Sequence, residues 1–222
     1  MFDRRALSAF SESLRVNTRN MTEEQAREQL HRVAERERAR VIEEQSARSG
    51  GVAPTAEVIV DGHRRARIED ADARSTIVIE YEYLREVAVE ILRALSVRSP
   101  QRSGRYLQSF MMLVDGSPTA DWEDIKHNTR EVLIVNIAPY ARRLEIGYKR
   151  DGTPFVVQVR RKITEDVATR AAKRFKDVAR VFHTFVEHAQ YPDVPNYVAA
   201  VRRRRKEVME PMRYPAIRIL RL

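Results

Sequence analysis

The sequence predicts an α+β fold, a small antiparallel sheet packed by a long helix and preceded by a helical N-terminal extension. Three observations lead there. Runs rich in β-branched residues recur between turn-forming stretches, as in "AEVIV", "IVIEYEY", "EVLIVNIA" and "FVVQVR". Apolar residues recur at helical spacing from Leu84 to Leu95 and again from Thr164 to about Ala189. The segment from Thr22 to about Arg48 is long and charged, with only a thin apolar stripe.

Taken in order, residues 4 to 18 carry Leu7, Phe10 and Leu14 at spacings of three and four, which predicts a short amphipathic helix. Thr22 with Gln25 forms a capping-box pattern that starts a second helix, running to about Arg48. Its stripe of Ala26, Leu30, Val33, Ala34 and Val41 is too narrow for the core helix of a compact domain, so it is expected to project into solvent or lie on another subunit. "SGGVAP" at 49–54 interrupts the chain, because glycine disfavours helix and the residue before Pro54 avoids the α region. Two strands joined through the Asp61-Gly62 turn and a polar stretch follow. The helix carrying Leu84, Val87, Ala88, Ile91, Leu92 and Leu95 then packs on the sheet and stops at Pro100 and Gly104.

"RYLQSFMMLV" at 105–114, "EVLIVNIA" at 131–138 and "FVVQVR" at 155–160 read as three strands of an antiparallel meander, with a polar loop or short helix between the first two. A long helix from Thr164 to about Ala189 places Val167, Ala171, Phe175, Val178, Phe182, Phe185 and Val186 on one face. "YPAIRILRL" closes the chain as a strand. These elements divide into a helical extension (1–50), an α+β core (51–190) and a basic tail with a terminal strand (191–222).

Composition narrows the chemistry. With 222 residues, 43% of them apolar, the chain can bury one core. It has no cysteine, which excludes disulfides, thiolate zinc sites and a cysteine nucleophile. No signal-peptide h-region and no membrane-length apolar run is present, so a soluble protein made inside the cell is expected. The formal charge of +9 suits a polyanionic neighbour. The five histidines, at 31, 63, 127, 183 and 188, contain no pair four apart on one helix face, so neither a metal nor any other cofactor is expected. Asp124 and Lys126 form the end of a nuclease-type pattern, but in a polar loop, and "EDAD" at 69–72 reads as a solvated acidic turn rather than a calcium loop. The run Arg202, Arg203, Arg204, Arg205 and Lys206 has two readings: a salt-dependent contact with a polyanion, or a solvated loop that anchors acidic residues of a neighbouring subunit.

The stretch "NIAPYARRLEIGYKRDGTPF" at 136–155 mixes the residue types of an active site. Tyr140 and Glu145 have no His, Cys or Lys partner arranged as a relay within it, so an enzyme is not expected. Its residues suit a sharp reversal instead. Pro139 starts a turn, Tyr140 and Leu144 pack four apart, Gly147 supplies positive φ, and Glu145 is expected to pair with Arg142 or Arg143 or with a partner's cation.

A strand leading into "APYARRLEIGY", preceded by "SPQRSGRYLQSF" after an amphipathic helix, resembles the tail-completion and neck proteins of tailed bacteriophages. The matching positions are Ser99, Pro100, Ser103, Gly104, Leu107, Ser109, Tyr140, Ala141, Leu144, Glu145 and Gly147, within residues 80 to 190. The resemblance implies a structural virion protein at the head–tail junction, either a collar or connector component or a tail-completion protein. It would be made in the host cytoplasm and assembled as a sixfold or twelvefold homo-oligomeric ring against portal-adaptor, other neck and tail proteins, with no membrane. It places subunit-interface or motif roles on Ser103, Gly104, Tyr140, Arg142, Arg143, Glu145 and Gly147. The alternative is a DNA-binding or DNA-processing protein that uses the basic run, including contact with packaged DNA.

Overall fold

The computed structural model describes residues 9–14, 21–49, 51–101, 103–147, 153, 162–203 and 206–222, and of the strands at 9–14, 199–203 and 206–208 it describes the backbone. The α+β class holds, with helices and antiparallel sheets arranged in two layered regions.

The first region is a four-stranded sheet with one long helix on it. Strand β1 (Ala9–Leu14) is followed by α1 (Glu23–Arg48), β2 (Thr55–Val60), the two-residue β3 (His63–Arg64) and β4 (Ile77–Glu82), and the strand order is β1-β4-β2-β3. The capping box forms as expected: Gln25 N–H donates to Thr22 Oγ1 at 3.3 Å and Thr22 N–H to Gln25 Oε1 at 3.1 Å. The stripe of α1 is covered by its own chain, which corrects the expectation of a projecting helix. Leu30, Ala34 and Val41 pack with Val58, Val60, Ile77, Ile79 and Tyr81. The two-residue period of a strand brings every second side chain of β2 and β4 onto that face, so a narrow helix stripe finds a complete apolar surface.

The helix expected over residues 4–18 is also corrected, since Ala9–Leu14 is a strand whose register pairs Phe10 with Tyr81 and Leu14 with Ile77. A helix of this length is marginal by itself, whereas the open edge of β4 offers a full ladder of backbone hydrogen bonds. Leu7 lies outside the described residues.

The second region holds the larger core. Helix α2 (Leu84–Arg98) leads to a short α3 (Arg105–Gln108), then β5 (Phe110–Val114), β6 (Ser117–Thr119), β7 (Glu131–Asn136), α4 (Ala141–Ile146), α5 (Ile163–Arg174), β8 (Ala179–Val186), the hairpin β9 (Val198–Arg203) and β10 (Lys206–Pro211), and finally β11 (Tyr214–Arg221). The five-stranded sheet has the order β6-β5-β7-β11-β8, antiparallel throughout. On one face α2 and α5 bury Leu84, Val87, Ile91, Leu95, Ile163 and Val167 against Val132, Ile134, Ile217 and Ile219. Each such burial contributes about 1.5–3 kcal/mol. The other face, with Leu113, Leu133, Val135 and Ala216, is covered by Tyr191, Val194 and Met212.

Three further expectations are corrected here. The strand read over 105–114 starts as the helical turn α3, entered through Gly104 at φ 68, and becomes a strand at Phe110. The neighbour of β7 opposite β5 is the C-terminal β11, so β5 and β7 are not part of a simple meander, and the run 155–160 lies outside the described residues. The long helix from Thr164 to Ala189 is a twelve-residue helix, a turn and a strand. Phe175 closes α5 with its N–H on Ala171 O at 2.8 Å, after which "ARVFHTFV" follows its β-branched and aromatic content into full pairing with β11.

Candidate functional site

The two halves of the sequence motif, some forty residues apart, meet in the fold. Gly104 adopts φ 68, a left-handed conformation that glycine enters without the steric penalty of a side chain, and this turns the chain into α3. That turn aims Tyr106 inward, where its hydroxyl donates to Glu145 Oε1 at 3.2 Å. The same oxygen accepts the N–H of Thr164 at 2.9 Å, so Glu145 holds the first turn of α5. Lys162 N–H donates to the backbone oxygen of Glu145 at 3.2 Å. Asn136, fully buried at the end of β7, donates to Tyr106 O at 2.8 Å and accepts from Ala138 N–H at 3.0 Å. β7, α3, α4 and α5 are thereby tied at one buried point.

Glu145 is 4% exposed and faces Tyr106 and Thr164, not Arg142 or Arg143. The expected arginine pairing is therefore corrected. On the single short turn of α4, Glu145 falls on the inward side with Ala141, whereas Arg142 and Arg143 fall outward. Burial pushes the Glu145 carboxyl above the usual carboxylate range, against the lowering effect of the Thr164 N–H and the Tyr106 hydroxyl. Burial, with the neighbouring Glu145 charge, also pushes the Tyr106 hydroxyl up. Gly147 ends α4 at φ 79 with its N–H on Arg143 O at 2.8 Å, the left-handed closure expected of it.

The outward side of α4 is a mixed surface. Tyr140 is 37% and Ile146 48% exposed, with Pro139, Arg142 and Arg143 exposed beside them. The Arg142 guanidinium lies 6.0 Å from the centre of the Phe185 ring, which fixes it against β8. Ser103 is exposed next to Gly104.

Arg202, Arg203 and Lys206 of the basic run lie at the paired end of β9 and β10. Backbone pairing sets Lys206 opposite Arg203 and Glu207 opposite Arg202, while Arg204 and Arg205 lie outside the described residues. The hairpin is a separate two-stranded sheet, and at its base Tyr197, Val198 and Met209 are 51%, 54% and 61% exposed.

A constellation that local spacing missed lies on the four-stranded sheet. Glu57 and Glu80 are cross-strand partners on β2 and β4, and His127 approaches from the loop before β7, so that one donor atom from each falls within 4.8 Å of the others. The side chains suit a divalent cation by type, but Arg64 fills the position between them. Its Nη1 donates to Glu57 at 3.0 Å and to Glu80 at 3.1 Å, and Nη2 stands 3.1 Å from His127 Nε2. A guanidinium there offsets one of the two carboxylate charges and orients the pair. The cluster borders an open groove of about 770 Å³ that also contains Glu82 and Arg85. Only strand register could have signalled it, because residues 57, 64, 80 and 127 share no local motif.

The other sequence candidates are engaged in turns. Asp124 accepts from Thr119 Oγ1 at 2.5 Å, Asp70 from Arg67 N–H at 2.7 Å and Asp72 from Arg74 N–H at 2.9 Å. His31 Nε2 contacts Ala71 O and His188 Nδ1 contacts Val194 O, both at 2.7 Å. Among the described residues no helix is long and apolar enough to cross a membrane. No family model matches the chain, and no curated protein or solved structure matches it either.

Proposed function

We propose that this chain is a structural virion protein of the phage neck, a collar, connector or tail-completion component that joins the DNA-filled head to the tail as a homo-oligomeric ring. The observation that carries the reading is the junction of Tyr106, Glu145 and Thr164. It joins Tyr106 of the first motif stretch to Glu145 of the second inside the protein, and Tyr140, Arg142, Arg143 and Ile146 are left exposed beside it. A mixed apolar and cationic surface fixed to a buried core is what a repeated subunit contact needs. Sixfold or twelvefold closure follows from the neighbouring layer it meets, and the place of action is the head–tail junction of the virion.

The test is electron microscopy of lysates from phage carrying Arg142→Glu with Ile146→Asp. Filled heads and finished tails that accumulate separately support the neck. Normal joined virions, or arrest before the heads fill, contradict it.

A second reading, contact with DNA, draws support from the hairpin, whose paired end gathers Arg202, Arg203 and Lys206 at one extremity of a two-stranded sheet. Binding to duplex DNA that weakens steeply with salt, and weakens further when these residues become Ala, is its signature.

A further inference from the structure

Helices α2 and α5 lie side by side on the five-stranded sheet, and their outward surfaces meet in an open groove of about 430 Å³. Ion pairs join the helices at both ends. Arg174 of α5 meets Glu90 of α2 at 3.0 Å, and Arg98 of α2 meets Asp166 of α5 at 3.2 Å. This pairing sets the helices antiparallel and frames about two turns of surface between them.

The framed surface is apolar, with Ala94 and the exposed Val97 on the α2 side above the buried Val167 and Ala171 of α5. Val97 is 78% exposed, the highest value of any large apolar residue described. It stands off the stripe of Leu84, Val87, Ala88, Ile91 and Leu95 that α2 turns to the core, so packing within the chain does not account for it. A β-branched residue is also a poorer helix former than the charged residues around it, so local helix preference does not account for it either.

Charge narrows what would cover this surface. Arg93, Arg98, Arg170 and Arg174 border the groove; Arg93 and Arg174 share the one carboxylate of Glu90, and Arg98 pairs with Asp166, which leaves the groove net positive. Arg170 has no ion-pair partner among the described residues. A nucleic-acid backbone would satisfy the arginines and gain nothing from Val97 and Ala94. A second copy of the chain would bring the exposed apolar residues of α4, Tyr140 and Ile146, together with Arg142 and Arg143, or those of the hairpin base with its basic end, and like charge would oppose the arginines of the groove. An incoming helix with an apolar ridge and acidic flanks satisfies both features, because two parallel ridges accept a third helix between them.

We propose that the α2–α5 groove docks an acidic amphipathic helix of a partner protein, its apolar ridge on Ala94 and Val97 and a carboxylate on Arg170. The inference does not depend on the neck reading.

The test is fluorescence anisotropy on the full chain with a labelled helix-forming peptide of about four turns, Leu at i, i+3, i+4 and i+7 and Glu on the flanks. The controls are a scrambled peptide of the same composition and a version with Lys for Glu. Val97→Glu and Arg170→Glu are made separately, both on the surface, with circular dichroism and melting checked against the parent. The acidic peptide is expected to bind the parent chain, with each substitution weakening it about tenfold or more and both controls weaker by at least as much. Equal binding of the scrambled peptide, unchanged binding by Val97→Glu, or no binding below about 100 μM overturns the proposal. Duplex DNA that competes and responds to Arg170→Glu but not to Val97→Glu marks a polyanion site instead. Self-association abolished by Val97→Glu marks an interface between copies, and either outcome also overturns it.

Discussion

The junction at Glu145 and the β9–β10 hairpin represent opposite uses of polar sequence. At the junction, Tyr106, Asn136, Glu145 and the start of α5 are joined by internal hydrogen bonds, and Glu145 is nearly solvent-free. The hairpin has two strands, its own ladder, and Tyr197, Val198 and Met209 exposed at its base. A two-stranded sheet is marginal in water by itself, whereas a buried network that is broken loses far more than one surface contact. Glu145 with Tyr106 and Asn136 therefore ties the elements of the second region together, while the hairpin and the outward side of α4 stay exposed.

Single changes to the chain separate the two regions by the size of their effect. Ending the chain before Tyr214 removes β11 from between β7 and β8, together with Ile217 and Ile219, and is expected to abolish cooperative unfolding altogether, read by circular dichroism and denaturant melts. Glu145→Ala leaves the Tyr106 hydroxyl and the Thr164 N–H without their acceptor and is expected to lower stability by about 3 kcal/mol, while Glu145→Gln, which keeps an acceptor oxygen, costs about 1 kcal/mol or less. Equal losses in the two variants would show that the charge, not the hydrogen bonding, matters there.

Glu82 gives a pH-dependent test in the first region. Its carboxyl is pushed up to about 7, chiefly by burial and against the N–H groups of Leu84 and Arg85. An acid whose pKa rises on folding holds its proton more tightly in the native state. The contribution of Glu82 to stability therefore falls as pH rises from about 4.5 to about 7 and is level above that. Glu82→Gln, which cannot ionise, is expected to remove this part of the pH dependence, read as a flatter profile of melting temperature across the same range. The smallest effect belongs to the hairpin. Met209→Ser with Tyr197→Ser is expected to change stability by no more than about 0.5 kcal/mol in thermal melts, because both side chains are more than half exposed. A large loss would mean that the hairpin is packed as part of the core.

Elements whose pattern is local were legible in the sequence. The capping box of α1, the stripe of α2, the run of β7 and the left-handed Gly147 each follow from neighbouring residues. What escaped depends on partners distant in the chain. Residues 9–14 carry a helix-like spacing and become a strand because β4 has an open edge, and residues 179–186 leave the helix because β11 pairs with them over eight positions. The two motif halves were readable as sequence, but the inward turn of Glu145 requires the position of Tyr106, and the Glu57–Arg64–Glu80–His127 cluster requires the register of β2 with β4.

The claim that the outward side of α4 assembles copies of this chain is tested most directly by the mass of the purified protein in solution. Mass photometry of the parent chain, with negative-stain images of the same sample, is expected to show closed rings of a single subunit number. Arg142→Glu with Ile146→Asp is expected to give a folded monomer with an unchanged melting profile. A parent chain that stays monomeric as its concentration is raised, or rings that persist in the double variant, would contradict the account.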